Sequence, residues 1–540
     1  MTTIDTHAGA NSSGSVAGSG GAAATLLAVA DWLTSTDHKK IGRLFIILAS
    51  AGALLSVVIG VLLGFERMDS DSFQLFADDN IGQFFTFFRV ELVFGAVLPM
   101  LIGIAIAVVP IQVGARSIAF ARGASFGLWS WLAGIVMVEI AYLGNGGPGG
   151  GNETMVDLFL LGMLLLIVGL VFAAVSLVVT VLNSRAPGMT LERAPLFAWG
   201  ALVGGSALVF TLPALGANLI YNFVDHRNGR VAFGGNFGVV DWIGWSLSQP
   251  QTYVFVLLAL AMLAEIATVV SGARHMLRGV VLAGIGITAT SVLGGVIQQQ
   301  QTMGWDGSVS DKLRDFVPWA IFNLLPILGA MTVLGASMFL LVTRRPRIIA
   351  PFVPALLSVV AVIVGMHGHA LSTISSTNVA TTVFEEAEFI FVMYGGLIAV
   401  MAGVSYWGPK LWGRLMPTSA VMGTGVLAFL GTFLAGLPYF VAGFADQPAG
   451  VANGFSYDGP QEAWNLLSTA GHVIVLVAVL GFVAAALTGF RNGAAAGDDP
   501  WNAHTLEWAT PSPAPADNFA DVAVVKSAEP LLDLKTGGAS

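Results

Sequence analysis

The sequence predicts an all-α membrane protein, a bundle of about twelve transmembrane helices, and three observations carry that prediction. First, 55% of the 540 residues are hydrophobic and 10% are charged, more apolar surface than a single soluble core buries. Second, apolar windows of bilayer-crossing length recur at roughly 43–64, 84–111, 124–143, 156–182, 195–223, 241–271, 279–300, 315–342, 350–372, 383–406, 420–445 and 465–490. Third, with the N-terminus placed inside, one set of connecting loops holds 15 Lys and Arg, from Lys39 to Arg491, whereas the other holds Arg67, Arg227, Arg230, Lys312 and Arg314. Cations beside spans stay on the cytoplasmic face, so an even number of spans is expected, multi-pass in a plasma (inner) membrane with both termini cytoplasmic.

The chain divides into a Gly/Ser/Ala-rich leader over 1–30, without the charged start and cleavage pattern of a signal peptide, a membrane domain over 31–495 and a cytoplasmic tail over 496–540. The leader and the residues beyond Phe519 read as disordered. The net charge of −9 comes largely from loop acids and the tail, so it points to no nucleic acid, and the partner that composition implies is the lipid bilayer. Zero cysteines exclude disulfides, thiolate-bound zinc and iron–sulfur clusters, leaving 8 histidines and some carboxylates as possible metal ligands. Of these histidines, His367, His369 and His472 fall within or at the end of spans.

The first span is entered through Asp31-Trp32-Leu33-Thr34-Ser35-Thr36-Asp37-His38-Lys39-Lys40-Ile41-Gly42-Arg43-Leu44, a charged, hydrogen-bonding segment suited to anchor a helix at the interface, with His38 part of the anchor rather than a ligand. The second span runs from Phe84-Phe85-Thr86-Phe87-Phe88-Arg89-Val90-Glu91 to Val108-Val109-Pro110-Ile111-Gln112-Val113-Gly114-Ala115-Arg116, followed by Ala119-Phe120 and Arg122. The sixth opens at Trp245-Ser246-Leu247-Ser248-Gln249-Pro250-Gln251-Thr252-Tyr253, and the seventh closes at Gln298-Gln299-Gln300-Gln301-Thr302-Met303-Gly304. The tenth begins Thr382-Val383-Phe384-Glu385-Glu386-Ala387-Glu388-Phe389-Ile390-Phe391 and reaches Trp407-Gly408-Pro409. The tail carries Pro500-Trp501, Thr505-Leu506-Glu507-Trp508 and Ser512-Pro513-Ala514-Pro515.

This succession resembles subunit I of the haem–copper (cytochrome c) oxidases over about residues 31–519, most specifically in the tail. The resemblance implies the twelve-helix fold of that subunit and also where its cofactors would be held. Counting back from Pro99 and Pro110, the histidine of the low-spin haem falls on Phe88. The haem ligands of the tenth span fall on Glu388 and Ile390, or on Ala387 and Phe389 if Trp407 and Pro409 set the register. The copper ligands fall on Gln249, Gln298 and Gln299 and the proton-carrying glutamate on Gln251, while Tyr253 remains without the histidine it would be joined to. The eighth span, Val317-Pro318-Trp319-Ala320-Ile321-Phe322-Asn323, lacks the family's proton-feeding lysine. Tyr439 and Phe440, in Gly436-Leu437-Pro438-Tyr439-Phe440, replace two loop arginines that hold haem propionates.

Phenylalanine has no lone pair for iron, and a neutral amide is a poor copper ligand that nevertheless gives and takes hydrogen bonds. An amide network is therefore expected in place of the copper site, with no metal, no haem and no catalytic residue. Each lost group is useless without the others, so their joint replacement differs from drift at one position. A chain without haem must refill its volume, and Phe84, Phe85, Phe87, Phe88, Phe384, Phe389 and Phe391 suit that purpose.

Charges remain at membrane depth: Arg89, Glu91 and Glu139, with Glu385, Glu386 and Glu388 in the tenth span. In the family the second and tenth helices face each other across the low-spin haem, so the expectation is an ion pair from Arg89 to Glu386 or Glu385. His367 and His369, two apart on a helix, diverge and are expected to hydrogen-bond near the interface rather than chelate. Glu265 and His472 are expected to face the bundle with local partners.

The function expected is that of a pseudo-oxidase, a cofactor-free paralogue acting as a structural or regulatory subunit of an oxidase-like respiratory complex, beside subunits of types II and III. A proton or small-ion transporter using Arg89, Glu385, Glu386 and Glu388 is the alternative in a different class. Cytochrome c oxidase subunit I itself, reducing oxygen, is what likeness alone would suggest, and the missing ligands argue against it.

Overall fold

The computed structural model describes residues 27, 29–68, 75–76, 78–232, 254–292, 302–304, 307–452, 459–519, 521–522 and 524–535. In chain order its long helices are α1 (His38–Met68), α2 (78–112), α3 (Ala121–Leu143), α4 (Glu153–Asn183), α5 (Leu196–Arg227), α6 (Val254–Ser271), α7 (Arg278–Thr288), α8 (Val309–Val342), α9 (Phe352–Ser372), α10 (Val383–Trp412), α11 (Thr418–Gly443) and α12 (Gln461–Asn492). Among the described residues ten of these are long and apolar enough to cross a membrane, and α6 and α7 are shorter apolar helices that adjoin undescribed residues. The protein is thus an all-helical membrane protein. The apolar stretches of α2 and α10 are enclosed along their whole length, which makes them the centre of the bundle. Around them α3, α4, α5 and α6 pack in succession, as do α9, α10, α11, α12 and α1, while α8 bridges α6 and α7.

Local chemistry sets the helix ends. The Asn152 side chain accepts from the Met155 N–H at the start of α4, Ser308 and Asp311 form a reciprocal capping box on α8, and Thr382 caps α10. Helix α10 stops at Gly413, whose φ of 75° belongs to the left-handed region that closes helices. Facing glycines let α3 and α4 approach closely: a Cβ on Gly127 would lie 2.7 Å from the Gly169 carbonyl oxygen, and one on Gly134 2.7 Å from that of Gly162.

Helices α2 and α8 each contain a widened π turn, at Glu91–Val97 and Ala320–Leu324, just before Pro99 and Pro326. The cause is common to both. Proline has no N–H, so a carbonyl in the preceding turn loses its donor, and the turn widens, with Leu98 N–H donating to Val93 O and Leu325 N–H to Ala320 O. The Trp131 indole of α3 donates to the Phe94 carbonyl at 2.8 Å, and the Thr290 hydroxyl donates to the Ile321 carbonyl at 3.2 Å. Each carbonyl thus finds a donor on another part of the bundle.

One expectation about the termini is corrected, that for the residues beyond Phe519, while most of the leader lies outside the described residues. Of the leader, residues 27, 29 and 30 are described and are helical, continuing to Leu33. Beyond Phe519 the described residues do not form a free extension but pack along the end of the bundle that carries most of the cations, ending in the short helix α13 (Pro530–Lys535). There Lys39 donates to the Ala516 carbonyl at 3.1 Å and Asn518 Oδ1 at 3.0 Å, and Asn518 Nδ2 donates to His38 Nε2 at 2.8 Å. Lys410 donates to the Thr510 carbonyl at 2.6 Å. Glu507, wholly buried, accepts from Gln112 Nε2 at 2.9 Å and the Trp407 indole at 3.3 Å, and burial pushes its carboxyl above the usual range. Arg274 pairs with Asp533 and Glu529, while Lys535 reaches Asp499 at 2.5 Å. Composition reads this segment as disordered because tertiary contacts of this kind leave no local signal.

His504 is buried in the docked tail, and burial followed by the nearby Lys535 charge lowers its pKa from 6.5 to about 4. A folded value below the unfolded one gives stability that is present above pH 6.5 and lost as pH falls through about 4. The His504 contribution to docking therefore disappears across that window, by about 3 kcal/mol in full. The expected outcome is that limited proteolysis of the tail rises less on acidification in H504Q than in the parent protein.

Candidate functional site

The seam between α2 and α10 is where the resemblance puts the low-spin haem. It is lined by Phe85, Phe88 and Arg89 from α2, Glu386, Phe389 and Ile390 from α10, Gly60, Leu63, Gly64 and Arg67 from α1, Tyr439 from α11 and His472 from α12. The cavity left among these side chains is about 20 Å³. One water needs roughly 10–15 Å³ by such a measure, so the seam has room for a water and little more. The Phe88 ring meets that of Phe389 edge-on at 6.1 Å and that of His472 at 6.2 Å. Gly60 permits this closure, because a Cβ there would lie 3.0 Å from both the Phe88 ring and the Tyr394 hydroxyl.

The charge in the seam is arranged differently from expectation. Glu386 pairs with Arg67 of α1, not with Arg89: two parallel bonds run from Arg67 Nη1 and Nη2 to the two carboxylate oxygens at 2.6 and 2.7 Å. Arg67 Nε donates to the Val451 carbonyl at 2.9 Å, and the Gly450 N–H donates to Glu386 at 2.8 Å. The guanidinium lies over the rings of Phe85 at 4.3 Å and Tyr439 at 5.4 Å. Arg67 is 3% exposed, so the loop cation of the hydropathy reading is in fact enclosed in the last turn of α1. Arg89 instead lies over the Phe389 ring at 5.2 Å. Glu385 turns away from the seam and accepts from the Thr381 N–H at 3.0 Å.

Glu388 points to α9, where His369 Nδ1 contacts its carboxyl at 3.1 Å and the Ser372 hydroxyl donates to it at 3.0 Å. His367 contacts the Ile363 carbonyl of its own helix at 2.8 Å, so the two histidines diverge. Ile390 and Phe389 both line the cavity, so either register of α10 sets an apolar side chain near Phe88. The Gly436–Phe440 run is not a loop but lies inside α11, with Tyr439 on Arg67 and Phe440 stacked on Phe391 at 5.5 Å. Glu265 accepts from the Leu196 and Phe197 N–H groups at 2.8 and 3.3 Å, at the start of α5, and His472 Nδ1 meets the Tyr394 hydroxyl at 2.7 Å.

Glu91, at the head of the π turn in α2, stands apart from this seam, with both carboxyl oxygens buried and without a hydrogen-bond partner. Gln249, Gln251, Tyr253, Gln298 and Gln299 lie outside the described residues. Among the described residues no three His, Cys, Asp or Glu side chains group closely enough to hold a metal ion. Arg67 is the seam residue that sequence reading passed over, although a cation ending an apolar run of α1 was its visible signal.

A family model described as cytochrome C and quinol oxidase polypeptide I matches residues 40–474. The chain is 28% identical over 544 residues to cytochrome c oxidase subunit 1 of Bacillus subtilis (strain 168), covering 94% of this chain and 83% of that protein. It is 27% identical to cytochrome c oxidase subunit 1 of Bacillus sp. (strain PS3), covering 92% and 82%. Against the probable cytochrome c oxidase subunit 1-beta of Nocardia farcinica (strain IFM 10152) it is 28% identical, covering 93% and 87%.

Removing one partner of an enclosed pair leaves the other charge buried, at a cost of about 3–5 kcal/mol. R67Q and E386Q should each lower the unfolding temperature in detergent accordingly, and R67M combined with E386L should recover most of the loss. R89Q, which gives up a cation–π contact, should cost only about 1 kcal/mol.

Proposed function

Since the chain belongs to the cytochrome C and quinol oxidase polypeptide I family, we propose that it is a cofactor-free member of it, a pseudo-oxidase. In this reading it folds as the family's twelve-helix bundle in the plasma membrane, with both termini cytoplasmic, and serves as a structural or regulatory subunit beside oxidase-type subunits II and III. The observation that carries the reading is the closed seam between α2 and α10. A haem there would need an imidazole from each helix and a slot wide enough for a macrocycle. Phe88 and Ile390, or Phe389, supply no lone pair, the cavity is about 20 Å³, and the one imidazole lining it, His472, comes from α12 and has its Nδ1 against Tyr394. The side chains and the size of this seam support a haem-free reading.

The remaining substitutions support the same reading. Tyr439 and Phe440 stand where the resemblance puts the propionate arginines, and both are used in packing around Arg67 and Phe391. The glutamines at 249, 298 and 299 replace imidazole with amides that suit hydrogen bonding better than copper. A subunit that keeps the fold of subunit I and lacks its cofactors retains surfaces, and surfaces are what a docking role requires.

Purified protein should show no Soret absorbance and no copper by elemental analysis, and should copurify with oxidase-type subunits II and III when isolated from its native membrane. Stoichiometric haem in the isolated chain would overturn the reading and return it to the oxygen-reducing enzymes.

A further inference from the structure

One buried carboxyl that the seam does not use is Glu91. It is 1% exposed, and neither oxygen has a hydrogen-bond partner. It occupies a built recess: a Cβ on Gly52 of α1 or on Gly95 of the π turn would collide with its carboxyl oxygens, so two glycines make the space it fills. The widened turn that carries it is held open by Pro99 and by the Trp131 indole on the Phe94 carbonyl. From α3, Glu139 and Tyr142 are near enough to interact with it electrostatically, and the Tyr142 hydroxyl also approaches that of Thr86 on α2. The Tyr142 hydroxyl is likewise buried without a completed hydrogen bond, as is Gln83 Oε1 one helix over, against the same ring. Glu139 is half-buried and lies within a turn or so of the Leu143 end of α3.

An ionised carboxylate in this position has no counter-charge and no donor, and a second acid lies within its electrostatic reach, so ionisation is costlier here than in water. A neutral carboxylic acid has no such cost and needs only a modest acceptor for its O–H. We propose that Glu91 is a membrane-buried proton-binding site, which exchanges its proton through Tyr142 and Glu139 with the end of the bundle where α3 finishes. The proton sits on a Glu91 carboxyl oxygen; on release a water molecule between the unpartnered oxygens takes it up and passes one of its own protons to the phenol oxygen as that hydroxyl gives up its proton, which reaches Glu139 in the same way, so charge is conserved at every transfer. The ligand is a proton, the site lies away from the haem seam, and nothing in it depends on whether cofactors are bound.

Infrared spectroscopy of the full-length protein in lipid nanodiscs tests this. At neutral pH a carboxylic C=O stretching band is expected that E91Q removes, that shifts when the protein is transferred to D₂O, and whose shift slows about tenfold in Y142F and in E139Q. The proposal is overturned if the band survives in E91Q, if it does not respond to D₂O, or if both α3 variants exchange as fast as the parent. Should E91Q fail to fold, dicyclohexylcarbodiimide, which attacks protonated carboxyls in apolar surroundings, gives an independent answer on the unaltered protein. An adduct on the peptide containing Glu91 at neutral pH supports the site, and its absence overturns it.

Discussion

A guanidinium enclosed among helices keeps its proton and has no water to hydrate it, so whatever surrounds it must answer both facts. Arg67 is in that position, and its surroundings answer fully: both oxygens of Glu386, the Val451 carbonyl, and two aromatic faces. The arrangement joins α1 to α10 and to the segment following α11. It also sets how α10 is turned about its own axis. With Glu386 held toward α1, Glu388 two residues on faces α9 and meets His369 and Ser372, and Phe389 meets Phe88. The closure of the seam thus follows from one charge and the geometry of a helix.

Much of the fold was legible in the residues, since ten of the apolar windows fall within long helices, overrunning them by about two residues at most, while the other two overlap α6 and α7 and continue into residues outside the described ones. What those windows missed were the ends: α1 runs from His38 to Met68, beyond the apolar 43–64, because a helix continues through the interface after its side chains become polar. That is why Arg67 read as a loop cation and Arg89 read as the partner of Glu386. Hydropathy gives depth along one helix but not which neighbour's side chain arrives at that depth, and Arg67 reaches Glu386 from α1 while Arg89 lies on Phe389. The glutamine positions lie outside the described residues, so their reading as replaced copper ligands rests on the motif register through Tyr253 and through Thr302 and Gly304. The docking of residues beyond Phe519 was not legible, since it rests on contacts such as Glu529 with the His275 N–H, 254 residues away in the chain.

The tail is of interest for what it satisfies. Lys39 and Lys410 are both almost wholly buried, and the carbonyls of Ala516 and Thr510 are among their acceptors. Without the tail these ammonium groups would lose several of their acceptors, so the cation-rich end of the bundle and the C-terminal segment are one structure.

Two carboxyls on the two most enclosed helices show how little the residue type alone decides. Glu386 on α10 and Glu91 on α2 are both buried at membrane depth. Glu386 is given a guanidinium and a backbone N–H, and its charge is thereby held in place. Glu91 is given glycines, a second acid and a phenol, none of which can donate to both of its oxygens. A donor set stabilises the anion and fixes it; the lack of one favours the neutral acid and leaves a proton available to move. In a bundle whose seam admits little more than a water, proton-binding chemistry has to reside in side chains, and the π turn of α2 is where the geometry leaves a carboxyl free to supply it.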